Sequence, residues 1–223
     1  MTFKCEYCGN TYKRESTLAK HMCRNKKRYL QRDEQHVKLG LKFFNDWYKR
    51  AMGTKKQKTY EEFMRSQYYG AFVRFGLYVL EARVLAPEKY LEWLINNRTT
   101  IDKWGTDSVY NAYLAEQAKR ETAERALERY VLHAEKWSEK TGRHWSRYWQ
   151  EANINVIMHD IKMGRISPWV MLSYEPAKEV LEGLPGEMLN EIADTLDLPY
   201  WNRKIAVNKP TVQWIDELLT ASG

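Results

Sequence analysis

Long apolar runs are missing from this chain of 223 residues, and no stretch approaches the roughly 18 residues that a membrane span needs. The first residues already include lysine and cysteine, which is unlike a secretory signal. There are only three cysteines, and all of them lie within the first 23 residues, so none is left for a disulfide framework elsewhere. We therefore expect a soluble, cytoplasmic protein.

The common motifs of catalysis are also missing. The 11 glycines are scattered, so there is no glycine-rich phosphate loop. There is no Gly-x-Ser-x-Gly, His-Glu-x-x-His or kinase pattern either. The pair His159-Asp160 is the one hint of a general base or a nuclease ligand, but no carboxylate cluster accompanies it. We expect a protein that is not an enzyme, with a structure-specific nuclease as the distant alternative.

What the chain does contain is material for a helical core. Hydrophobic residues make up 43% of the sequence and aromatic residues 13%. Strand-like alternation is nearly absent outside the first segment, whereas apolar residues recur at helical spacing. We predict a mainly α fold, in which a small ββα segment is followed by a long basic helix and an all-helical domain. The predicted domains are residues 1–26, 27–58 (basic helix and linker) and 59–223.

The first segment has the spacing of a metal site. Cys5 and Cys8 are separated by two residues, and a spacer of 12 residues leads to His21 and Cys23. Two cysteines followed by a hairpin-plus-helix length of chain and further ligands is how a small module builds a tetrahedral zinc site. The sequence therefore predicts Zn²⁺ bound by Cys5, Cys8, His21 and Cys23.

The spacer strengthens this prediction. Tyr12 and Leu18 stand where a two-cysteine, two-histidine finger has its core aromatic residue and leucine, so residues 3–23 resemble a C2H2-type zinc finger. The usual second histidine is missing, and Cys23 is the local substitute. Positions two apart on an α-helix point about 200° apart, so the helix must loosen, tighten or end between His21 and Cys23. His36 is the distant alternative for the fourth ligand.

The resemblance also implies which finger residues approach a nucleic acid. On the helix of such a finger, Arg14, Ser16, Thr17 and Lys20 occupy the positions that usually face bases. Arginine at the first of these can pair with guanine in a bidentate manner. One finger covers about three base pairs, too few for specificity by itself, and many single fingers bind RNA or protein instead.

Positive charge is concentrated near the finger. Residues 1–58 contain 16 Lys/Arg against 5 Asp/Glu, whereas the remainder contains 20 against 24. Residues 24–52 read as one long helix, with an apolar stripe and a second row that could follow a phosphate backbone. A solvated face is the alternative interpretation of this row, and DNA is favoured over RNA as the partner. The basic row comprises Lys27, Lys38, Lys42 and Lys49, joined by Lys20 and Arg24 if the helix is unbroken.

Further helices are predicted from caps and turns over 60–84, 87–96, 106–119, 122–140, 151–162, 175–184, 185–198 and 210–221, with Ser167-Pro168 starting another. Thr59 with Glu62 is the predicted capping box of the first, and Thr122 and Gly142 are the predicted start and stop of the fourth. Gly70 and Gly76 within the first of these suggest close approach of another helix. Its aromatic residues are expected in the core, with a base-stacking platform for single strands as the alternative; they are Tyr68, Tyr69, Phe72 and Phe75.

The whole layout is similar to uncharacterised zinc-finger proteins of tailed bacteriophages. That resemblance implies expression in the cytoplasm of a bacterial host and an accessory or regulatory role in phage DNA handling or transcription. The alternative is a protein–protein adaptor that docks on a polymerase or another host or phage protein. Tryptophans of the C-terminal half, which often anchor interfaces, are its candidate contacts, although most are expected to fill the core.

Overall fold

The computed structural model describes residues 2–53 and 56–222. These residues form a mainly α-helical fold in which the only sheet is a two-stranded antiparallel hairpin near the N-terminus. The chain divides into two compact units, with the boundary between Thr106 and Asp107. No helix of the described residues has both the length and the apolar character to cross a membrane.

Unit 1 begins with the ββα segment that the sequence predicted. Phe3 pairs with Tyr12 and Lys4 with Thr11 in the hairpin. The elements of unit 1 are β1 (Phe3–Lys4), β2 (Thr11–Tyr12), α1 (Glu15–Lys20), α2 (Arg24–Leu30), α3 (Gln35–Ala51), α4 (Tyr60–Arg65), α5 (Tyr69–Glu81), α6 (Pro87–Asn96) and a 3₁₀ turn at Ile101–Lys103.

The core of unit 1 is built on the crossing of α3 and α5. Gly40 and Gly76 allow these helices to touch through their backbones: a Cβ on Gly76 would lie 2.2 Å from the carbonyl oxygen of His36, and one on Gly40 would lie 2.9 Å from that of Phe72. The prediction of close approach is therefore confirmed for Gly76. At Gly70 a Cβ would meet only a side-chain nitrogen of Arg74 at 3.6 Å, so that glycine is not required for packing.

Aromatic rings fill the space beside this crossing. Phe44 of α3 lies 5.0 Å from Phe63 and 5.4 Å from Phe72, measured between ring centroids. Phe72, Phe75 and Tyr69 are all buried. The expectation that they belong to the core is confirmed, and these three rings are not available as a platform for bases.

Two predicted helices are each broken in the structure. Residues 24–52 form α2 and α3 rather than one helix, because the chain turns at 31–34 and Glu34 starts a new helix. Residues 60–84 form α4 and α5, which are separated at Ser66, where the backbone is extended. In both places the apolar spacing continues across the turn, so periodicity alone did not reveal it. The capping box of Thr59 and Glu62 that starts α4 is confirmed.

The boundary between the units falls inside the region that the sequence assigned to one all-α domain, residues 59–223. The reason is that α3, part of the predicted basic helix, packs against α4, α5 and α6 and buries Val37, Phe43 and Phe44. The basic helix therefore belongs to the same unit as the helices of residues 60–96. The predicted linker at 53–58 includes Thr54 and Lys55, which lie outside the described residues.

Unit 2 is entirely helical over its described residues. Its core gathers buried residues from most of its helices, among them Tyr130, Trp149, Trp169 and Trp201. Its elements are α7 (Asp107–Arg120), α8 (Ala123–Thr141), a 3₁₀ turn at Trp145–Arg147, α9 (Tyr148–Glu151), α10 (Ile154–Lys162), α11 (Pro168–Met171), α12 (Glu175–Glu182), α13 (Gly186–Thr195), α14 (Leu198–Val207) and α15 (Lys209–Ala221).

Most caps predicted in unit 2 are confirmed. Thr122 caps α8, Gly142 ends it with a positive φ of 71°, and the Ser167 hydroxyl caps α11. Helix α14 was missed: the predicted helix 185–198 ends earlier, and Asp197 caps a new helix by accepting a hydrogen bond from the backbone N–H of Tyr200. An aspartate two residues before a proline is a helix-start pattern that would have indicated it.

Candidate metal centre

The hairpin between β1 and β2 positions the first two cysteines. The backbone N–H of Cys5 donates to the carbonyl of Asn10, and that of Gly9 donates to the carbonyl of Cys5, at 2.8 and 2.9 Å. Gly9 has a φ of +77°, which a residue with a Cβ adopts only under strain. This tight turn holds Cys5 and Cys8 on the same side of the hairpin.

The end of α1 positions the other two ligands. The helix stops at Lys20, and both His21 and Cys23 have extended backbone conformations, with ψ of 123° and 165°. The sequence left three ways for these residues to face one metal, and the structure uses termination of the helix. Cys23 then becomes the N-cap of α2, where its Sγ accepts the backbone N–H of Lys26 at 3.4 Å.

The four predicted ligands come together. The ligand atoms of Cys5, Cys8, His21 and Cys23 all lie within 4.8 Å of one another, and Cys8 Sγ is 3.3 Å from His21 Nε2. A tetrahedron with metal–ligand bonds of about 2.0–2.3 Å has corners roughly 3.3–3.8 Å apart. His36, the alternative fourth ligand, is instead on α3 and lies 3.2 Å from Glu34.

The electrostatics of the cluster favour a cation. Burial raises the pKa of the Cys5 thiol, but hydrogen bonds from the backbone N–H groups of Cys8 and Tyr7 outweigh it and hold the pKa below its usual value. At Cys8 the backbone N–H of Asn10 lowers the pKa, but burial and the neighbouring thiols raise it more. The neighbouring thiols therefore lower the pKa of Cys5 and raise that of Cys8, and a bound cation would favour the thiolate form of both.

A hydrogen bond behind the cluster orients the imidazole. Tyr12 Oη lies 2.8 Å from His21 Nδ1, on the side of the ring away from Cys8. With Nε2 directed at the thiols as a ligand, Nδ1 carries the hydrogen and donates it to the tyrosine oxygen. Sequence reasoning treated Tyr12 as a core aromatic residue only, and its position opposite His21 was not visible from spacing.

The donor set fits zinc. Three thiolate sulfurs and one imidazole nitrogen in a near-tetrahedral cluster are a known combination for structural Zn²⁺. All four corners are supplied by the protein, which leaves no open position for substrate or water. The cluster is thus compatible with a structural zinc site, and bound zinc would fix the ends of the hairpin, α1 and α2 to one another.

The finger segment is also tied to the helices that follow. The amide of Asn25 donates to the carbonyl of Tyr7 at 2.9 Å. Arg28 of α2 donates to the carbonyl of Met64, accepts the hydroxyl of Tyr60 through its own carbonyl, and lies 4.2 Å over the ring of Tyr69. These contacts connect α2 to α4 and α5, and none of them was predicted from the sequence.

The predicted nucleic-acid residues fall into two groups in the structure. Those of α1 and α2 have exposed side chains, and the charged ones form no ion pair with any residue that the structure describes. They are Arg14, Ser16, Thr17, Lys20, Arg24 and Lys27.

The residues of the basic row on α3 differ. Lys38 lies 3.5 Å from Asp33, and Lys42 forms an ion pair with Glu88 of α6. Lys49 is exposed, with no ion pair among the described residues, but the neighbouring Arg50 pairs with Glu92 at 3.1 Å. The row is also not continuous, because Lys27 lies on α2. The unbroken helix that would have added Lys20 and Arg24 to it is not formed.

The pair His159-Asp160 does not form a site. His159 is exposed, whereas Asp160 is 2% exposed. The Asp160 carboxylate accepts hydrogen bonds from His133 and Tyr148, each at 2.7 Å, and from Arg165. It therefore joins α8, α9 and the turn after α10 as a buried structural group.

Comparison with models of protein families, with curated proteins and with solved structures finds no match to this chain. The resemblance to bacteriophage proteins therefore stays a prediction. The metal centre is supported by its own geometry and donor chemistry.

Proposed function

We propose that this protein binds nucleic acid, with duplex DNA favoured, through a finger that a zinc ion stabilises. The observation that carries the proposal is the uncompensated positive charge of α1 and α2 beside the Cys5-Cys8-His21-Cys23 cluster. Its role is accessory or regulatory rather than catalytic. The binding surface is smaller than the basic row, because it excludes the ion-paired part of α3.

The ion-paired part of α3 is excluded because binding to nucleic acid depends on neutralising the phosphate charge. A cation already paired with a carboxylate must break that pair before it neutralises a phosphate, whereas a free cation only releases the counterions of the nucleic acid. Arg14, Lys20, Arg24 and Lys27 are of the second kind among the described residues, and Lys42 with Glu88 is of the first. The finger resemblance would place Arg14, Thr17 and Lys20 nearest the bases, and Arg24 and Lys27 would lie at the phosphates.

The test is a binding titration of the full chain with duplex DNA, single-stranded DNA and RNA at 50 and 200 mM salt. We expect the affinity for the duplex to fall by orders of magnitude across this range and to be lost after zinc is removed with a chelator. Affinity that is indifferent to salt and chelator would contradict the proposal.

A second proposal, docking on another protein, rests on the last helix of unit 2. Trp214 and Leu218 of α15 lie one turn apart and are 38% and 42% exposed, whereas Trp149, Trp169 and Trp201 are buried. Exposed tryptophan is a frequent anchor of interfaces.

This second proposal predicts a complex that survives nuclease treatment and the double variant Arg14→Glu/Lys20→Glu, but not Trp214→Ala. Loss of the complex after nuclease treatment would show that nucleic acid bridges the two proteins. Trp137→Ala, on the half-buried tryptophan of α8, is the matched control.

A further inference from the structure

Two open grooves border the metal centre, and they share no lining residue. The first, of about 640 Å³, is lined by the hairpin, by Asn25 of α2 and by Arg65 of α4. The second, of about 370 Å³, lies along α1. Its lining residues are Tyr12, Ser16, Thr17, Lys20 and His21.

The two grooves differ in their chemistry toward anions. The first contains the carboxylate of Glu6 and the thiols of Cys5 and Cys8 beside the cations of Lys4 and Arg65. Once ionised around zinc, the two thiolates and the carboxylate offset these cations, so this groove attracts an anion less than its cations alone would. The second groove contains the ammonium of Lys20, three hydroxyl groups and no carboxylate or thiol. These groups donate hydrogen bonds, which the oxygens of a phosphate accept.

The hydrogen bond between His21 and Tyr12 determines whether the Tyr12 hydroxyl can donate its own hydrogen to a ligand. Because Nε2 faces the cluster, Nδ1 is the donor and the tyrosine oxygen is the acceptor. The Tyr12 O–H then has its own hydrogen left to donate, and no acceptor for it is found among the described residues. A metal on Nε2 makes Nδ1–H a stronger donor, and accepting a strong hydrogen bond makes the tyrosine O–H a stronger donor in turn.

We propose that the groove along α1 binds a phosphodiester group, held by the Lys20 ammonium and the hydroxyls of Tyr12, Ser16 and Thr17. This inference rests on the proposed function and sharpens it. Lys20 and Thr17, which the finger resemblance assigns to bases, contact the backbone instead, and Tyr12 is an additional binding residue. Contact at this point is independent of base sequence, since phosphates contain no sequence information.

The experiment compares matched substitutions in the two grooves. Lys20→Gln and Lys4→Gln remove the same charge, and Tyr12→Phe and Tyr7→Phe remove the same hydroxyl, on the second and first groove respectively. Each full-length variant is titrated with two duplexes of unrelated sequence at saturating zinc. Zinc content is measured in parallel, because Tyr12→Phe also removes the acceptor of the His21 hydrogen bond.

We expect Lys20→Gln to lower the salt dependence of binding by about one released ion and Tyr12→Phe to weaken binding about fivefold, both equally on the two duplexes. Lys4→Gln and Tyr7→Phe should change binding by less than about twofold. A loss that depends on the duplex would overturn the inference in favour of base contacts. Equal losses in both grooves would overturn it in favour of diffuse attraction.

Inorganic phosphate, followed by NMR on the zinc-loaded protein, separates this inference from the proposed function. Chemical shift changes centred on Tyr12, Thr17 and Lys20 would support the groove even if no nucleic acid binds, and in that case the proposed function alone fails. Binding of nucleic acid to the unmodified protein, with no effect of Tyr12→Phe or Lys20→Gln, would overturn only the inference.

Discussion

The two units of this chain differ in their charge and in the interactions that hold their helices together. Unit 1, residues 1–106, contains 22 Lys/Arg against 11 Asp/Glu, whereas unit 2, residues 107–223, contains 14 against 18. Unit 1 joins its first helices with a candidate metal centre and an aromatic core. Unit 2 joins its helices around buried tryptophans and the carboxylate of Asp160.

The two units also differ in whether their charged groups are available to a binding partner. In unit 2 the most buried charge is saturated by three donors and is not available to a partner. In unit 1 the cations Arg14, Lys20, Arg24 and Lys27 form no ion pair with a described carboxylate, and the self-repulsion that results has to be offset by other interactions. A structural metal is one such interaction, because its binding free energy is also folding free energy.

Removal of the metal should give the largest difference between the units. Chelation, or the variant Cys5→Ser, should unfold residues 3–23, since structural zinc contributes an apparent free energy of about 10–16 kcal/mol in finger peptides. Hydrogen exchange should therefore rise throughout the finger and remain unchanged in unit 2. The control is His36→Gln, which should bind as much zinc as the unmodified protein. Loss of zinc from His36→Gln would show that the cluster is not the site.

Substitution of Asp160 should have the next largest effect, and in the other unit. Burial raises the pKa of this carboxyl, but hydrogen bonds from His133, Tyr148 and Arg165 outweigh it and hold the pKa below its usual value. Its contribution to stability is therefore complete above the unfolded value of about 4 and is lost as the pH falls through the lower folded value. Asp160→Asn should cost about 3–5 kcal/mol at neutral pH.

Denaturant unfolding of Asp160→Asn as a function of pH measures this prediction. The variant should lose the part of the acid dependence below pH 4 that the unmodified protein shows, and its zinc content should not change. An unaltered acid dependence would mean that another carboxylate is responsible.

The helix crossing of unit 1 gives a smaller effect with an internal control. Gly76→Ala places a Cβ against the backbone of α3 and should destabilise unit 1 by about 1–3 kcal/mol through overpacking. Gly70→Ala meets no such obstacle and should stabilise it by about 0.5 kcal/mol. Thermal unfolding of the two variants measures both, and the same sign for both would contradict the packing described here.

The smallest expected effect compares two lysines of the basic row. Lys27→Gln should reduce the salt dependence of nucleic-acid binding by about one ion, because Lys27 has no described ion-pair partner. Lys42→Gln should leave it unchanged, because Lys42 is already paired with Glu88. The slope of affinity against salt concentration is the measurement. If both variants reduced this slope by the same amount, the binding surface would extend to α3.

Several features followed from the sequence because the physics behind them is local. The ligand spacing of the finger, the Thr59 capping box, the Ser167 cap and the stop at Gly142 each depend on a few consecutive residues. The same is true of the requirement that the helix loosen, tighten or end if His21 and Cys23 are to face one metal, whereas the structure showed that it ends. The breaks between α2 and α3 and between α4 and α5 were missed, since apolar spacing was maintained across them.

By itself, then, the sequence determined a helical, unevenly charged chain and the four candidate metal ligands of its finger segment. Only the tertiary structure decided which of its cations are neutralised, because Lys42 and Glu88 are 46 residues apart and meet by the packing of α3 and α6. It likewise placed the hydroxyl of Tyr12 on His21 Nδ1 and tied Arg28 to α4. Hydrogen bonds and ion pairs act over a few ångströms, so pairings between distant residues follow from the fold and not from spacing.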